Sequence, residues 1–182
     1  MHVQNLSDHI MDIAQNAIRA NATRVEIDVE ESEARDALVL VIRDNGDGMD
    51  ADTVQRVTDP FFTSRTTRKV GLGVPLLKQN AEATGGRLSI RSAPGKGTAV
   101  EATFSRSHLD RPPVGDIAGT IVLLAAANPG MEVRYRYVTD KGTYTFSSGE
   151  TRTFLGDTPL DDPEIVAALR EMIAENIKDI QV

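Results

Sequence analysis

The tightest constraint on the fold is the order of residues 6–48: one amphipathic helix, two aliphatic strands, then a turn holding two glycines. Leu6, Ile10, Ile13, Ala14 and Ala17 recur at helical spacing, which predicts a helix over residues 6–20. Ser7 is placed to cap its start, and Asn21-Ala22-Thr23 ends it. Arg24–Val29 alternates, with Val25, Ile27 and Val29 on one side, the pattern of a half-buried strand. Ala37–Ile42 is aliphatic almost throughout and reads as a central strand, stopped by Asp44-Asn45-Gly46-Asp47-Gly48.

Further along, the pattern predicts a short helix over Asp50–Val57 and a polar loop over Asp59–Lys69 with Pro60 near its start. Gly71-Leu72-Gly73 then opens a helix to about Thr84. Pro75 suits a first helical turn, whose N–H groups have no partner. Gly85-Gly86 suits the C-cap. Leu88–Arg91 and Thr98–Phe104 read as strands joined by the turn Ala93–Gly97. Residues 106–116, with Pro112-Pro113, read as a linker between a domain over 1–105 and a small α+β unit over 117–182. That unit is expected to hold a helix over Ile117–Ala127 and a hairpin of Met131–Thr139 with Thr143–Ser148. A last helix runs from Asp162-Pro163-Glu164 to about Asp179, with Asp162 as cap and Pro163 at its first position. Its apolar face (Ile165, Val166, Leu169, Met172, Ile173, Ile177) closes the unit's own core or meets another surface.

Charge and composition exclude several classes. Twenty Lys+Arg against 27 Asp+Glu give a net charge of -7, which argues against general nucleic-acid binding. One nucleotide needs only local donors. The absence of cysteine rules out a disulfide framework, a thiolate metal site and a cysteine nucleophile, and fits a reducing cytoplasm. Met1-His2-Val3-Gln4-Asn5 shows no basic patch before an apolar run, so no signal peptide is expected. The longest apolar stretch, Ile117–Ala127, is roughly half of the about twenty residues that cross a bilayer. The expectation is a cytoplasmic chain with neither membrane nor nucleic-acid partner.

Three separated motifs carry chemistry. Asp12 and Asn16 lie four apart on one side of the first helix. Asn16 offers an amide oxygen suited to Mg²⁺, and Asp12 a carboxylate that can hold a water or take its proton. Both residues also fit solvated positions on an amphipathic helix. Asp44, at a strand end, can accept an adenine amino group, and Gly46 and Gly48 before Met49 allow close backbone approach. The same residues also fit an ordinary tight turn. The third motif is Pro60-Phe61-Phe62-Thr63-Ser64-Arg65, the polar loop, and Gly71-Leu72-Gly73. Glycines before a helix present free N–H groups to phosphates, and Arg65, Arg68 and Lys69 could add charge to the same anion. The segment is neither a Walker loop nor a Rossmann fingerprint.

Taken in order, these motifs resemble the gyrase, Hsp90, histidine kinase and mismatch-repair (GHKL) ATPase superfamily. Asp12–Asn16 looks like its N box, Asp44–Met49 its G1 box, Pro60–Arg65 its F box and Gly71–Gly73 its G2 box. Gly95-Lys96-Gly97-Thr98 looks like its final Gly-x-Gly-Thr element. The resemblance spans roughly residues 5–105. It implies a Bergerat ATP-binding fold, an α/β (α+β) two-layer sandwich with a mixed, mostly antiparallel sheet and helices on one face. It also implies ATP with Mg²⁺ as cofactors. Asn16 would bind the metal. Asp44 would contact adenine with Gly46, Gly48, Met49 and Thr98 nearby. Residues 59–70 would form a lid, with Phe62, Arg65, Lys69, Gly71, Leu72 and Gly73 on the nucleotide.

This chain departs from the family in two places. Hydrolytic members carry Glu where Asp12 stands, so the base is one methylene shorter. About five residues lie before the first helix in this sequence, so the helical hairpin that bears the acceptor histidine in histidine kinases is not expected; His9 reads as a helix-surface residue or, three before Asp12, as one that orients that carboxylate. Three functions follow from the resemblance: a kinase core acting on a partner protein, a slow regulatory ATPase, or a module that only senses nucleotide. A homodimer is open to each.

Overall fold

The computed structural model describes residues 4–59, 61 and 73–182. Asn5 starts the first helix, α1 (Leu6–Arg19). Its side chain accepts the Asp8 N–H at 2.9 Å, while the Asp8 carboxylate accepts the Asn5 N–H at 3.0 Å. A cap of this kind contributes about 1 kcal/mol. Ser7 does not cap the helix; its hydroxyl donates to Asn5 at 2.6 Å. The stripe read from the sequence is buried throughout, at Leu6, Ile10, Ile13, Ala14 and Ala17.

The strands β1 (Arg24–Ser32) and β2 (Ala37–Asp44) form an antiparallel hairpin in which Val25 faces Asp44 and Ser32 faces Ala37. A short helix, α2 (Ala51–Val57), is capped by Asp50. After it come α3 (Gly73–Ala83), β3 (Arg87–Ser92) and β4 (Thr98–Ser105), and β4 pairs antiparallel with both β2 and β3. Then follow α4 (Ile117–Ala127), β5 (Glu132–Thr139), β6 (Gly142–Ser147), α5 (Ser148–Leu155) and α6 (Pro163–Ile180).

All six strands form one sheet, in the order β3-β4-β2-β1-β5-β6. Four pairings are antiparallel and one, β1 with β5, is parallel, with Arg24 beside Glu132 and Glu31 beside Thr139. The mixed, mostly antiparallel α/β sheet is the architecture expected. Residues 117–182, read from the sequence as a small unit of their own, share this sheet and one apolar core with the residues before them. Strand alternation records which side is apolar but not which edge a strand will join.

Period-two alternation gives the sheet two unlike faces. Val25, Ile27, Val29, Leu38, Leu40, Ile42, Val133, Tyr135 and Tyr137 are buried on one face, under α1, α3, α4 and α6. Helix α4 lies between α1 and α6, which explains why it is apolar nearly all round. The apolar side of α6 packs into the shared core through Val166, Leu169, Ile173 and Ile177. The opposite face of the sheet is charged, with Glu26 and Asp28 beside Arg134 and Arg136. Helix α5 has no counterpart in the sequence reading. It starts where β6 ends, with Ser147 accepting the Glu150 N–H at 3.2 Å.

Candidate nucleotide site

Where the β2 and β4 ends approach the last turns of α1, a cavity of about 250 Å³ opens. Asn16 and Arg19 from α1, Asp44 from β2, Gly48 and Met49 from the turn, and Thr98 from β4 line it. Its walls are Ile13, Val57, Val74, Ile90 and Val100. The volume is just under the roughly 300–1,000 Å³ that encloses a whole drug-sized ligand. The shape therefore suits a flat base, with the remainder of a ligand outside. One carboxylate inside apolar walls is the donor-selective chemistry that an exocyclic amino group needs.

The turn after β2 is held from three directions. Asn45 accepts the N–H groups of Thr23 and Arg24, both at 2.9 Å, and donates to the Thr23 hydroxyl at 2.8 Å. Asp47 accepts the Asn21 amide at 2.8 Å, and its N–H reaches the Ala20 carbonyl at 2.7 Å. The Met49 N–H donates to Ser92 Oγ at 2.8 Å, and that hydroxyl also meets Thr98 Oγ1 at 2.8 Å and donates to the Gly97 carbonyl at 2.9 Å. Two glycines make this packing possible. Gly48, at φ +73°, would place a Cβ 2.0 Å from the Ala93 carbonyl oxygen, and Gly97, at φ +75°, 2.0 Å from that of Asp44. Gly46 sits against Ala20 and gives its N–H to Asp44 Oδ1 at 2.8 Å. Burial raises the Asp44 pKa, against the opposing pull of hydrogen bonds from the Gly46 and Thr98 backbone.

Asp12 lies one turn before Asn16 and opens on a neighbouring cavity with Gln4, Asn80 and Pro112. It accepts the Gln4 amide at 2.6 Å, and burial raises its pKa. Gly73, the first residue of α3, sits over it: a Cβ there would be 3.3 Å from the Asp12 Cβ. The N-terminal end of α3 therefore packs against the base of the Asp12 side chain. The Asn16 amide oxygen accepts from the Arg19 guanidinium at 3.2 Å. Among the described residues no three His, Asp or Glu side chains group as a metal cage. A cation here would rest on Asn16 and on its ligand's own oxygens, which fits Mg²⁺, an ion usually held through few protein groups and substrate phosphates.

His9 corrects the sequence reading. It is fully buried, with Nε2 at 2.7 Å from the Asn80 amide of α3, and burial lowers its pKa to about 4 despite the nearby Asp8. The imidazole thus ties the helix bearing Asp12 to the helix that begins at Gly73. Phe62, Arg65, Lys69, Gly71 and Leu72 lie outside the described residues. Sequence reasoning missed Arg19 and Ser92. Arg19 was detectable as the residue one turn after Asn16; Ser92 carried no signal beyond its place at a strand end.

Sheet, cavity and motif order define a nucleotide-type ATPase module. The chain belongs to the family of histidine kinase-, DNA gyrase B-, and HSP90-like ATPases, whose profile matches residues 2–108. A putative sensor protein of Shewanella frigidimarina is 35% identical over 109 residues, 59% of this chain and 17% of that protein. The sensor protein kinase FleS of Pseudomonas aeruginosa is 40% identical over 91 residues, 50% of this chain and 22% of that protein. The sensor histidine kinase YxdK of Bacillus subtilis is 31% identical over 102 residues, 52% of this chain and 31% of that protein. The chain thus spans less than a third of the length of each of these relatives. The crystal structure of the N-terminal domain of a DNA repair protein shares the fold, with a TM-score of 0.51 at 16% identity over 79% of this chain and 51% of that one. No helix among the described residues is long and apolar enough to cross a membrane.

Proposed function

We propose that this chain binds Mg-ATP in the Asp44 cavity and works in the cytoplasm as the kinase core or regulatory ATPase of a protein partner. The observation that carries this reading is the meeting of Asn16, Asp44, Gly48, Met49 and Thr98, from separate segments, around one cavity. Asp44 accepts the adenine amino group, and Ile13, Val74 and Ile90 hold the ring's faces. Asn16 would hold the metal through the amide oxygen that accepts from Arg19. Bound Mg²⁺ supplies charge neutralisation on the phosphates. The first N–H groups of α3 would receive phosphate oxygens; the motif resemblance alone assigns Phe62, Arg65, Lys69, Gly71 and Leu72 to the same anion. Asp12, with its raised pKa, takes the proton of the attacking hydroxyl as that oxygen bonds to the γ-phosphorus and the bond to ADP breaks. The acceptor is water or a side chain of the partner.

The test is calorimetric binding of a non-hydrolysable ATP analogue, with and without Mg²⁺, to the wild type and to Asn16→Ala. Metal-dependent binding that weakens in Asn16→Ala is expected; no binding of any nucleotide would sink the reading. One observation favours a second function, a module that senses nucleotide without turnover: Asp12 is already engaged by Gln4 at 2.6 Å. Phosphate release separates the two. A rate that falls in Asp12→Ala makes Asp12 the base, and equal rates remove it from catalysis.

A further inference from the structure

We propose that β6 is a self-pairing edge through which two copies of this chain join their sheets. Strand β6 closes the sheet on one side, and among the described residues its strand partner is β5 alone. Natural edge strands are guarded by charge, proline or a bulge. The opposite edge, β3, carries Arg87 and Arg91. The β6 sequence, Gly-Thr-Tyr-Thr-Phe-Ser, has neither charge nor proline.

A groove of about 530 Å³ runs beside this edge and touches Tyr144, Thr145, Phe146 and Ser147 in succession. Consecutive strand residues point to opposite faces, so a groove that meets all four follows the backbone edge and not one face. Its walls include two exposed apolar side chains, Phe154 of α5, 90% exposed, and Met172 of α6, 41% exposed.

A second copy fits this groove by symmetry. Antiparallel pairing of a strand with itself keeps the helix-covered faces on one side when Thr145 opposes Thr145 of the other copy. Tyr144 then opposes Phe146 of the other copy, twice, which makes aromatic cross-strand pairs on the helix side. Thr143 opposes Ser147. The ends also match in charge: Lys141 precedes the strand and Glu150 lies in the first turn of α5 just after it, so antiparallel pairing brings the Lys141 end of each copy to the Glu150 end of the other. A buried phenylalanine contributes on the order of 150–250 Å². With Met172, Tyr144 and two threonines from each copy, the joint approaches roughly 1,200 Å², where specific interfaces begin. The Asp44 cavity stands three strands away, between β2 and β4, and stays open. The inference therefore stands whether or not ATP binds.

The chain has no cysteine, so a single thiol reports its own neighbour. Thr145→Cys is expected to form a covalent dimer on mild oxidation, while Glu101→Cys, on the open face of β4, stays monomeric. In sedimentation the wild type is expected to be a dimer. Thr145→Lys and Thr145→Glu each weaken it by at least roughly tenfold through like charges at the axis, and mixing the two variants restores a dimer. Melting temperature checks that the exposed substitutions leave the fold intact. A wild type that stays monomeric at every concentration overturns the proposal and leaves the edge to a strand of another protein. A dimer that ignores both charged variants, or a Glu101→Cys disulfide that forms as readily as the Thr145→Cys one, overturns it as well.

Discussion

The two ends of the β1–β2 hairpin each hold a carboxylate, buried at one end and half-buried at the other, and they use it in opposite ways. Near the hairpin turn Glu31, 5% exposed, accepts the Tyr137 hydroxyl at 2.7 Å and the Arg106 guanidinium at 2.8 Å. At the far end Asp44 accepts backbone N–H groups from Gly46 and Thr98 and faces a cavity. Both Glu31 oxygens accept from side chains, Oε1 from Tyr137 and Oε2 from Arg106, whereas Asp44 is held by backbone N–H groups and faces a cavity. What each carboxylate faces separates the roles: side-chain donors on both oxygens mark the structural residue, and an open cavity marks the functional one.

The largest effect is expected at the end closed by side-chain donors. Glu31→Ala leaves Tyr137 and Arg106 without their acceptor and should lower unfolding free energy by about 3 kcal/mol. That is the low end for a broken buried pair, because Arg106 keeps some water. Urea unfolding measures it, and analogue binding should be unchanged; if binding falls in step, the division between the two ends breaks.

Acid should produce a loss of similar size from another buried group, on α1. His9 titrates near 6.5 in the unfolded chain and near 4 in the fold, so the unfolded state takes up the proton first. Its contribution is present above pH 6.5 and lost as pH falls towards 4, by roughly 3 kcal/mol. Stability measured against pH should lose that slope in His9→Gln.

Asp44→Asn should weaken analogue binding by roughly 30- to 150-fold, the 2–3 kcal/mol of a charge-assisted hydrogen bond. Its raised pKa carries the opposite sign to that of His9: the stability it adds lies below the usual carboxylate pKa and is lost as pH rises. At neutral pH the variant should melt slightly higher than the wild type, a trade of stability for function. A lower melting temperature would place Asp44 with Glu31. The smallest effect is expected on the open face. Arg43 meets Asp28 at 2.6 Å, both partly exposed, so Arg43→Ala should cost no more than about 1 kcal/mol and less at high salt.

Much of the architecture was legible because each element carries its own period. The helix predicted over 117–127 and the strand starts at Arg24, Ala37 and Thr98 agree with the observed elements. The polar residues of the cavity were legible too, since Asp44, Gly48 and Thr98 bracket backbone turns that only certain residues can make. Its apolar walls were not: Val74 and Ile90 look like any core residue until α3 and β3 are placed. His9 was misread because the stripe of α1 shows one buried side, while α3 covers a second. Helix α5 was missed because Ser148–Leu155 is short and threonine-rich, and its cap, Ser147, is also the last residue of a strand.

The parallel pairing of β1 with β5 has a consequence for how the chain is made. Residues 24–31 meet residues 132–139, about a hundred positions later. At translation rates of about 5–20 residues per second, β1 waits roughly 5–20 s with one side bare while β2 already occupies the other. Until residue 139 leaves the ribosome, the middle of the finished sheet is a temporary margin, open to whatever strand arrives first.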